Sequence, residues 1–257
     1  MSNNLSILSQ DGLNTVKDIE ITNTFFKCAS TRCEQIFALK THALLGISPF
    51  NSYYSEENIR NLFYWTSSNF SSFNIFIPDT LPIYTFLALG YEKQKAEKKT
   101  RRQVSYLTNK VYKALAHIGI SLEEAQRRII NVSSMEVNDN YLKLRQYCYD
   151  LYESNIEFQN ECNQCRDFIL AGYNININEP EKYKIAIRYL LDEMPFFIDS
   201  PAILGIQNSM FIYHEIPHFI HYLYNYLSPK ITSIAQGFMQ VVDNKRELLT
   251  LSEDVCQ

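Results

Sequence analysis

Glycine and proline are scarce, 7 and 8 in 257 residues, which excludes a collagen-like or low-complexity chain. No apolar run reaches the roughly 18 residues of a membrane span. Met1 to Gln10 is polar and has no apolar signal-peptide core. Six cysteines, Cys28, Cys33, Cys148, Cys162, Cys165 and Cys256, are sparse for a chain of this length, so a cytoplasmic protein with reduced thiols is expected. Neither charge sign dominates: the net charge is −4, and any polyanion must be met by a local patch. There is no G-x-G-x-x-G, no Walker A loop and no G-x-S-x-G elbow, which argues against dinucleotide, nucleoside-triphosphate and α/β-hydrolase chemistry. No cofactor and no resident metal are expected.

What the chain has is apolar surface (46%), much of it tyrosine (18) and phenylalanine (16). That is enough for one sizeable core. Apolar segment 35–47 and Phe73–Ile77 read as strands, with further strands over 128–132 and 210–213. Helices are expected over 55–68, 82–88, 92–117, 138–170 as one or two pieces, 179–193 and 217–226, with a short one opened by the Ser121/Glu124 capping box. Residues 174–178 read as a loop. Strands alternating with helices predict an α/β fold, a parallel sheet covered on both faces. The expected organisation is a loose tail over 1–20, one domain over 21–240 and a charged end over 241–257.

Several stretches carry chemistry. Gly46-Ile47-Ser48-Pro49-Phe50-Asn51-Ser52-Tyr53-Tyr54 leaves a buried strand through a tight turn, and ligand groups of open α/β sheets gather at such carboxyl ends. Tyr189 and Glu193 are four apart on one helix face. A carboxylate there, beside Pro195 and two phenylalanines, is partly desolvated, which suits binding of a cationic amine or proton transfer. Lys93, Lys95, Lys98, Lys99, Arg101, Arg102, Lys110 and Lys113 fall within 21 residues of one helix, a stripe able to grip a phosphate backbone without reading bases. His214-Glu215-x-x-His218 matches a zinc-protease pattern, but Pro217 belongs in a helix's first turn and puts His214 outside that helix. Cys162-x-x-Cys165 has no second pair and no preceding strand, so two thiols one helical turn apart are expected.

In their order and spacing, Gly46-Ile-Ser48-Pro49-x-Asn51-Ser52-Tyr53, Ile77-Pro78-Asp79, Ala88-Leu89-Gly90-Tyr91 before the basic helix, Tyr189-x-x-x-Glu193-x-Pro195-Phe196 and Tyr213-His214-x-x-Pro217 resemble the cyclodipeptide synthase family over residues 40 to 230. With Asn51, Tyr189 and Tyr213 present, the resemblance is to its Asn-Tyr-Tyr subfamily. The resemblance implies a Rossmann-like fold similar to the catalytic domains of class I tyrosyl- and tryptophanyl-tRNA synthetases. It implies a cytoplasmic enzyme, monomer or homodimer, that joins two aminoacyl groups from aminoacyl-tRNAs into a 2,5-diketopiperazine by a ping-pong route. Ser48 would be the nucleophile, Tyr189 and Glu193 would hold the amine, Asn51 would position the group, and Tyr213 would relay protons. Leu44, Gly46, Ile75, Ile77, Phe196 and Phe211 would line a first, apolar aminoacyl pocket suited to a residue such as leucine. Lys98, Lys99, Arg101, Arg102, Lys110 and Lys113 would bind tRNA. Two rivals stay open: a non-catalytic tRNA-binding domain of the same fold, and a zinc hydrolase using His214, Glu215 and His218.

Overall fold

The computed structural model describes residues 24–172, 180–227 and 231–243. The expected tail over 1–20 and the loop over 174–178 lie outside the described residues. Six strands form one sheet: β1 (Thr24–Cys28), β2 (His42–Gly46), β3 (Ser72–Ile77), β4 (Ile129–Asn131), β5 (Ser209–Tyr213) and β6 (Gln236–Asp243). Their order is β1-β6-β5-β2-β3-β4. Five are parallel, and β1 pairs antiparallel with β6, Phe26 opposite Val241. The sheet is therefore mixed, not purely parallel as the alternation predicted. An antiparallel edge strand on an otherwise parallel sheet is a common variant.

Ten helices surround the sheet among the described residues: α1 (Thr31–Ala38), α2 (Glu56–Asn69), α3 (Pro82–Ala88), α4 (Lys93–His117), α5 (Leu122–Arg128), α6 (Asp139–Ser154), α7 (Ile156–Ala171), α8 (Pro180–Glu193), α9 (Pro195–Leu204) and α10 (His218–Tyr222). The expected strand over 35–47 is two elements. Ser30 caps α1 by accepting from the Cys33 amide, and Cys33 and Ile36, three apart, bury one helix face. Only His42–Gly46 is strand, and it is buried throughout. The segment 138–170 is two helices because Asn155 interrupts it and caps α7, its side chain accepting from the Phe158 amide at 3.0 Å. Pro195 ends α8 and opens α9 at its first turn. The charged end begins later than expected, since β6 runs to Asp243.

Strand alternation divides the aromatic core between two layers. On one face Phe76, Phe211 and Phe238 meet α9: the ring centroids of Phe76 and Phe196 are 4.0 Å apart, and those of Phe197 and Phe211 are 5.0 Å apart. On the other, Phe73 meets Phe63 of α2 at 5.9 Å. Gly46 closes β2 where the Phe211 ring lies against the strand. A Cβ there would stand 2.5 Å from Phe211 Cζ, so packing demands glycine at this position.

Candidate active site

The sheet order reverses between β2 and β5. From β2 the chain proceeds to β3 on one side, whereas β5 leads to β6 on the other. Such a switch point opens a crevice at the carboxyl ends of the two strands. Ser48 leaves β2 there and Tyr213 ends β5 there. Ser48 Oγ and the Tyr213 hydroxyl are 2.9 Å apart. α8 brings Tyr189 and Glu193 to the same place. All four, with Asn51, line one cavity of about 490 Å³.

Each group is held by its surroundings. Tyr54, fully buried, donates to the Gly46 carbonyl at 2.7 Å and ties the turn back to β2. Asn51 Oδ1 accepts from the Tyr53 amide at 2.9 Å, which leaves the Asn51 NH2 group to donate to His214 Nε2. His214 Nε2 is then an acceptor and its proton sits on Nδ1. The imidazole stacks on Tyr53 with centroids 5.0 Å apart and lies 4.4 Å from the Tyr213 ring. Behind α8, buried Asp192 accepts from the Tyr149 hydroxyl at 2.9 Å, while Tyr141 donates to the Asp192 carbonyl at 2.9 Å. These contacts pin α8 to α6 and fix the direction in which Tyr189 and Glu193 project.

Electrostatically the cavity disfavours charge. Burial pushes the Glu193 carboxyl up to about 8 from its ordinary 4.5. Burial also raises the Tyr213 phenol, and the nearby Glu193 raises it further against hydrogen bonds from Ser48 and Asn51. Tyr213 stays a neutral phenol at physiological pH, able to donate one proton and accept another. Glu193 is uncharged at neutral pH, and an incoming ammonium would draw it into the charged form.

Leu44, Ile75, Ile77 and Phe196 are fully buried in the sheet and α9 core and appear in the wall of neither cavity. Phe211 lines a second, smaller cavity of about 130 Å³ with Cys165, Phe168, Phe197, Phe219 and Phe238, and this cavity shares Glu193 and Tyr213 with the larger one. Gly46 lies at the β2 end, under Phe211. Phe50 and Arg166 were not expected as cavity residues, and Glu215 was expected only in the zinc pattern; all three line the cavity. Phe50 is next to Asn51 and Glu215 is two residues from Tyr213, both expected site residues, whereas Arg166 enters from α7 and had no local signal.

On α4, Lys98, Lys99, Arg101 and Arg102 are exposed. Lys110 is instead engaged, its Nζ donating to the Tyr54 carbonyl at 3.0 Å, and Lys113 stands 3.6 Å from Glu56. The zinc pattern is taken apart by its own geometry. His214 precedes α10 and is committed to Asn51, whereas His218 starts α10 and pairs with Glu161 at 3.1 Å. Among the described residues no cluster of three histidine, cysteine or acidic side chains could hold a metal. Cys162 and Cys165 are free thiols of α7, and burial raises both, Cys165 to about 12. No helix among the described residues is long and apolar enough to cross a membrane.

A switch-point crevice that holds a serine hydroxyl, a phenol and a desolvated carboxyl on an α/β sheet is equipped for nucleophilic and acid–base chemistry. The family model for cyclodipeptide synthase matches residues 25–243. The cyclo(L-leucyl-L-leucyl) synthase of Staphylococcus haemolyticus is 30% identical over 191 residues, 71% of this chain and 79% of that protein. This chain belongs to the cyclodipeptide synthase family, and it is an enzyme. A solved cyclodipeptide synthase from Bacillus thermoamylovorans superposes with a TM-score of 0.78 at 27% identity, covering 87% of this chain and 97% of the other. The fold is also that of the Mycobacterium tuberculosis protein Rv2275, at a TM-score of 0.74 and 23% identity over 86% of this chain and 94% of that one. The structure of Rv2275 relates cyclodipeptide synthetases to type I tRNA synthetases.

Proposed function

We propose that this enzyme takes two aminoacyl-tRNAs and releases a cyclic dipeptide by a ping-pong route through Ser48. The observation that carries this reading is the 2.9 Å contact between Ser48 Oγ and the Tyr213 hydroxyl, in the wall of a cavity that Tyr189 and Glu193 also line. Ser48 Oγ attacks the first aminoacyl ester. The ribose oxygen leaves and takes the serine proton, relayed by Tyr213. Tyr189 and Glu193 hold the amine of the resulting seryl ester, and Asn51 positions the group. That amine loses its proton to the Glu193 carboxylate and attacks the carbonyl of the second aminoacyl ester. An amide forms, the ester C–O bond breaks, and the second ribose oxygen departs with the proton that the attacking nitrogen gives up. The free amine of the new residue then attacks the Ser48 ester, the C–O bond breaks, and Ser48 regains its proton through Tyr213 as the ring closes. The ester substrates are already activated, so the scheme needs no ATP, metal or redox cofactor.

The exposed cations of α4 would bind the tRNA backbone by charge. The apolar cavity beside Glu193 favours a hydrophobic aminoacyl group, since an unpaired charge buried there is costly. The name of the Staphylococcus haemolyticus relative points the same way, to leucine. Expression in a bacterial host with mass spectrometry of the medium tests the reading. Cyclic dipeptides rich in leucine are expected from the wild type and none from Ser48→Ala. Undiminished product from Ser48→Ala would remove Ser48 from the mechanism.

A further inference from the structure

Two residues after Ser48 the chain does something costly. Pro49 is followed by Phe50 at φ +68°. A proline followed by a residue with positive φ is the pattern of a type II turn, in which the second position is normally glycine or asparagine. A bulky side chain in this region is uncommon and strained. The ring gains little burial in return: Phe50 is 43% exposed. It stands in the wall of the cavity that holds Ser48.

The ring is also continued by others. Phe50 meets Phe86 of α3 edge to face, with centroids 5.2 Å apart at 84°. Phe86 meets Tyr91 at 5.5 Å and 72°. Over Tyr91 stand Lys99 Nζ at 4.8 Å and Lys95 Nζ at 5.4 Å, both from the basic helix α4, and Lys99 Nζ also lies 5.6 Å from the Phe86 centroid. An aromatic line thus runs from the basic face of α4 to the cavity mouth, and its last ring is exposed. Cations for phosphates leading to an exposed aromatic ring is the arrangement that binds single-stranded nucleic acid.

We propose that Phe50 is the stacking platform for the unpaired 3′-terminal base of the RNA that carries the aminoacyl ester, setting the ester carbonyl against Ser48. This rests on the aminoacyl-tRNA reading above and adds a substrate-binding residue to it. The strained turn is then the means of holding a ring, where glycine would relax the backbone but leave the base without a surface.

The test is a cycle of two changes. The donors are two RNAs, aminoacylated by chemical means, that differ only in the last nucleotide: one ends in adenosine, the other in an abasic ribose. KM is measured with wild type, Phe50→Gly and Phe50→Trp. Removing the base should raise the wild-type KM about five- to hundredfold, the range of one base–aromatic stack. With Phe50→Gly the same removal should change KM less than about twofold, since no stack is left to lose, and Phe50→Trp should restore the dependence. Phe50→Gly should melt no lower than wild type, because it relieves the positive φ. Equal dependence on the base in wild type and Phe50→Gly overturns the platform while leaving the aminoacyl-tRNA reading in place. Failure of the wild type to accept either RNA overturns that reading, and the platform with it.

Discussion

Glu193 offers a quantity that can be worked from the structure. Its carboxyl ordinarily titrates near 4.5 and is pushed up to about 8 by burial. The folded state therefore keeps a proton that the unfolded chain releases between those values. Stability contributed by this site is full below about pH 4.5, falls as pH rises, and is lost by about pH 8. A displacement of this size corresponds to at most about 5 kcal/mol, at 1.36 kcal/mol per pH unit. The carboxyl borders a cavity that water can enter, and screening there reduces the expected loss to about 2–3 kcal/mol. Glu193→Gln keeps the shape and removes the titration. Urea unfolding can be followed through Trp65, the one tryptophan and only 6% exposed. At pH 5 wild type and Glu193→Gln should be of similar stability. At pH 9 the variant should be more stable by about 2–3 kcal/mol. A stability gap that does not change between the two pH values would refute the claim that the cavity holds Glu193 uncharged. With it would go the argument that an arriving ammonium is what ionises the carboxyl.

Three further outcomes are expected. Tyr213→Phe deletes the hydroxyl 2.9 Å from Ser48 Oγ and should lower kcat by about 10²- to 10⁴-fold with little change in thermal midpoint, read by steady-state kinetics and calorimetry. Gly46→Ala places a Cβ 2.5 Å from the Phe211 ring and should destabilise by about 1–3 kcal/mol in urea unfolding, with partial recovery in the Gly46→Ala/Phe211→Leu double variant. Reversing the charge of Lys98, Lys99, Arg101 and Arg102 together should cut turnover of aminoacyl-tRNA and flatten its dependence on salt; an unchanged salt response would detach α4 from tRNA binding.

Local signals made much of the fold legible. Ser55 and Ser121 announce α2 and α5, and both accept from the backbone amide three residues on. The four-residue spacing of Tyr189 and Glu193 correctly put both on one side of α8, since both reach the same cavity. The helix α1 was hidden because its last turn, Ile36-Phe37-Ala38, belongs to a short apolar run, and such runs do not distinguish a buried strand from a buried helix. β1 and β6 were hidden for another reason. Their pairing joins Phe26 to Val241, at the opposite end of the domain's sequence, and neither segment has a short-range partner to betray it.

The site divides along the same line. The turn after β2 was legible locally, but Ser48 stood out in it only beside the distant Tyr189, Glu193 and Tyr213, whereas the desolvation of Glu193 followed from its apolar neighbours. The Asn51–His214 contact crosses 163 positions, so both residues held motif positions in the sequence with nothing there to show that they meet. Leu44, Ile75, Ile77 and Phe196 have the apolar character a pocket needs, but strand interiors between two helical layers are buried from both faces, and Leu44, Ile75 and Ile77 sit there with Phe196 of α9 packed on the sheet. The wall of the small cavity is drawn from α7, α8, α9, α10 and the strands β5 and β6, a convergence of side chains that only the folded chain brings about.

The central claim is that Ser48 accepts an acyl group, and peptide mass spectrometry of the trapped enzyme addresses it most directly. Enzyme mixed with leucyl-tRNA, quenched in acid within the first turnover and digested, should carry one leucyl residue on the peptide containing Ser48. Ser48→Ala should carry none. A leucyl group found on another residue, or an unmodified enzyme that has nonetheless released cyclic dipeptide, would contradict the covalent route.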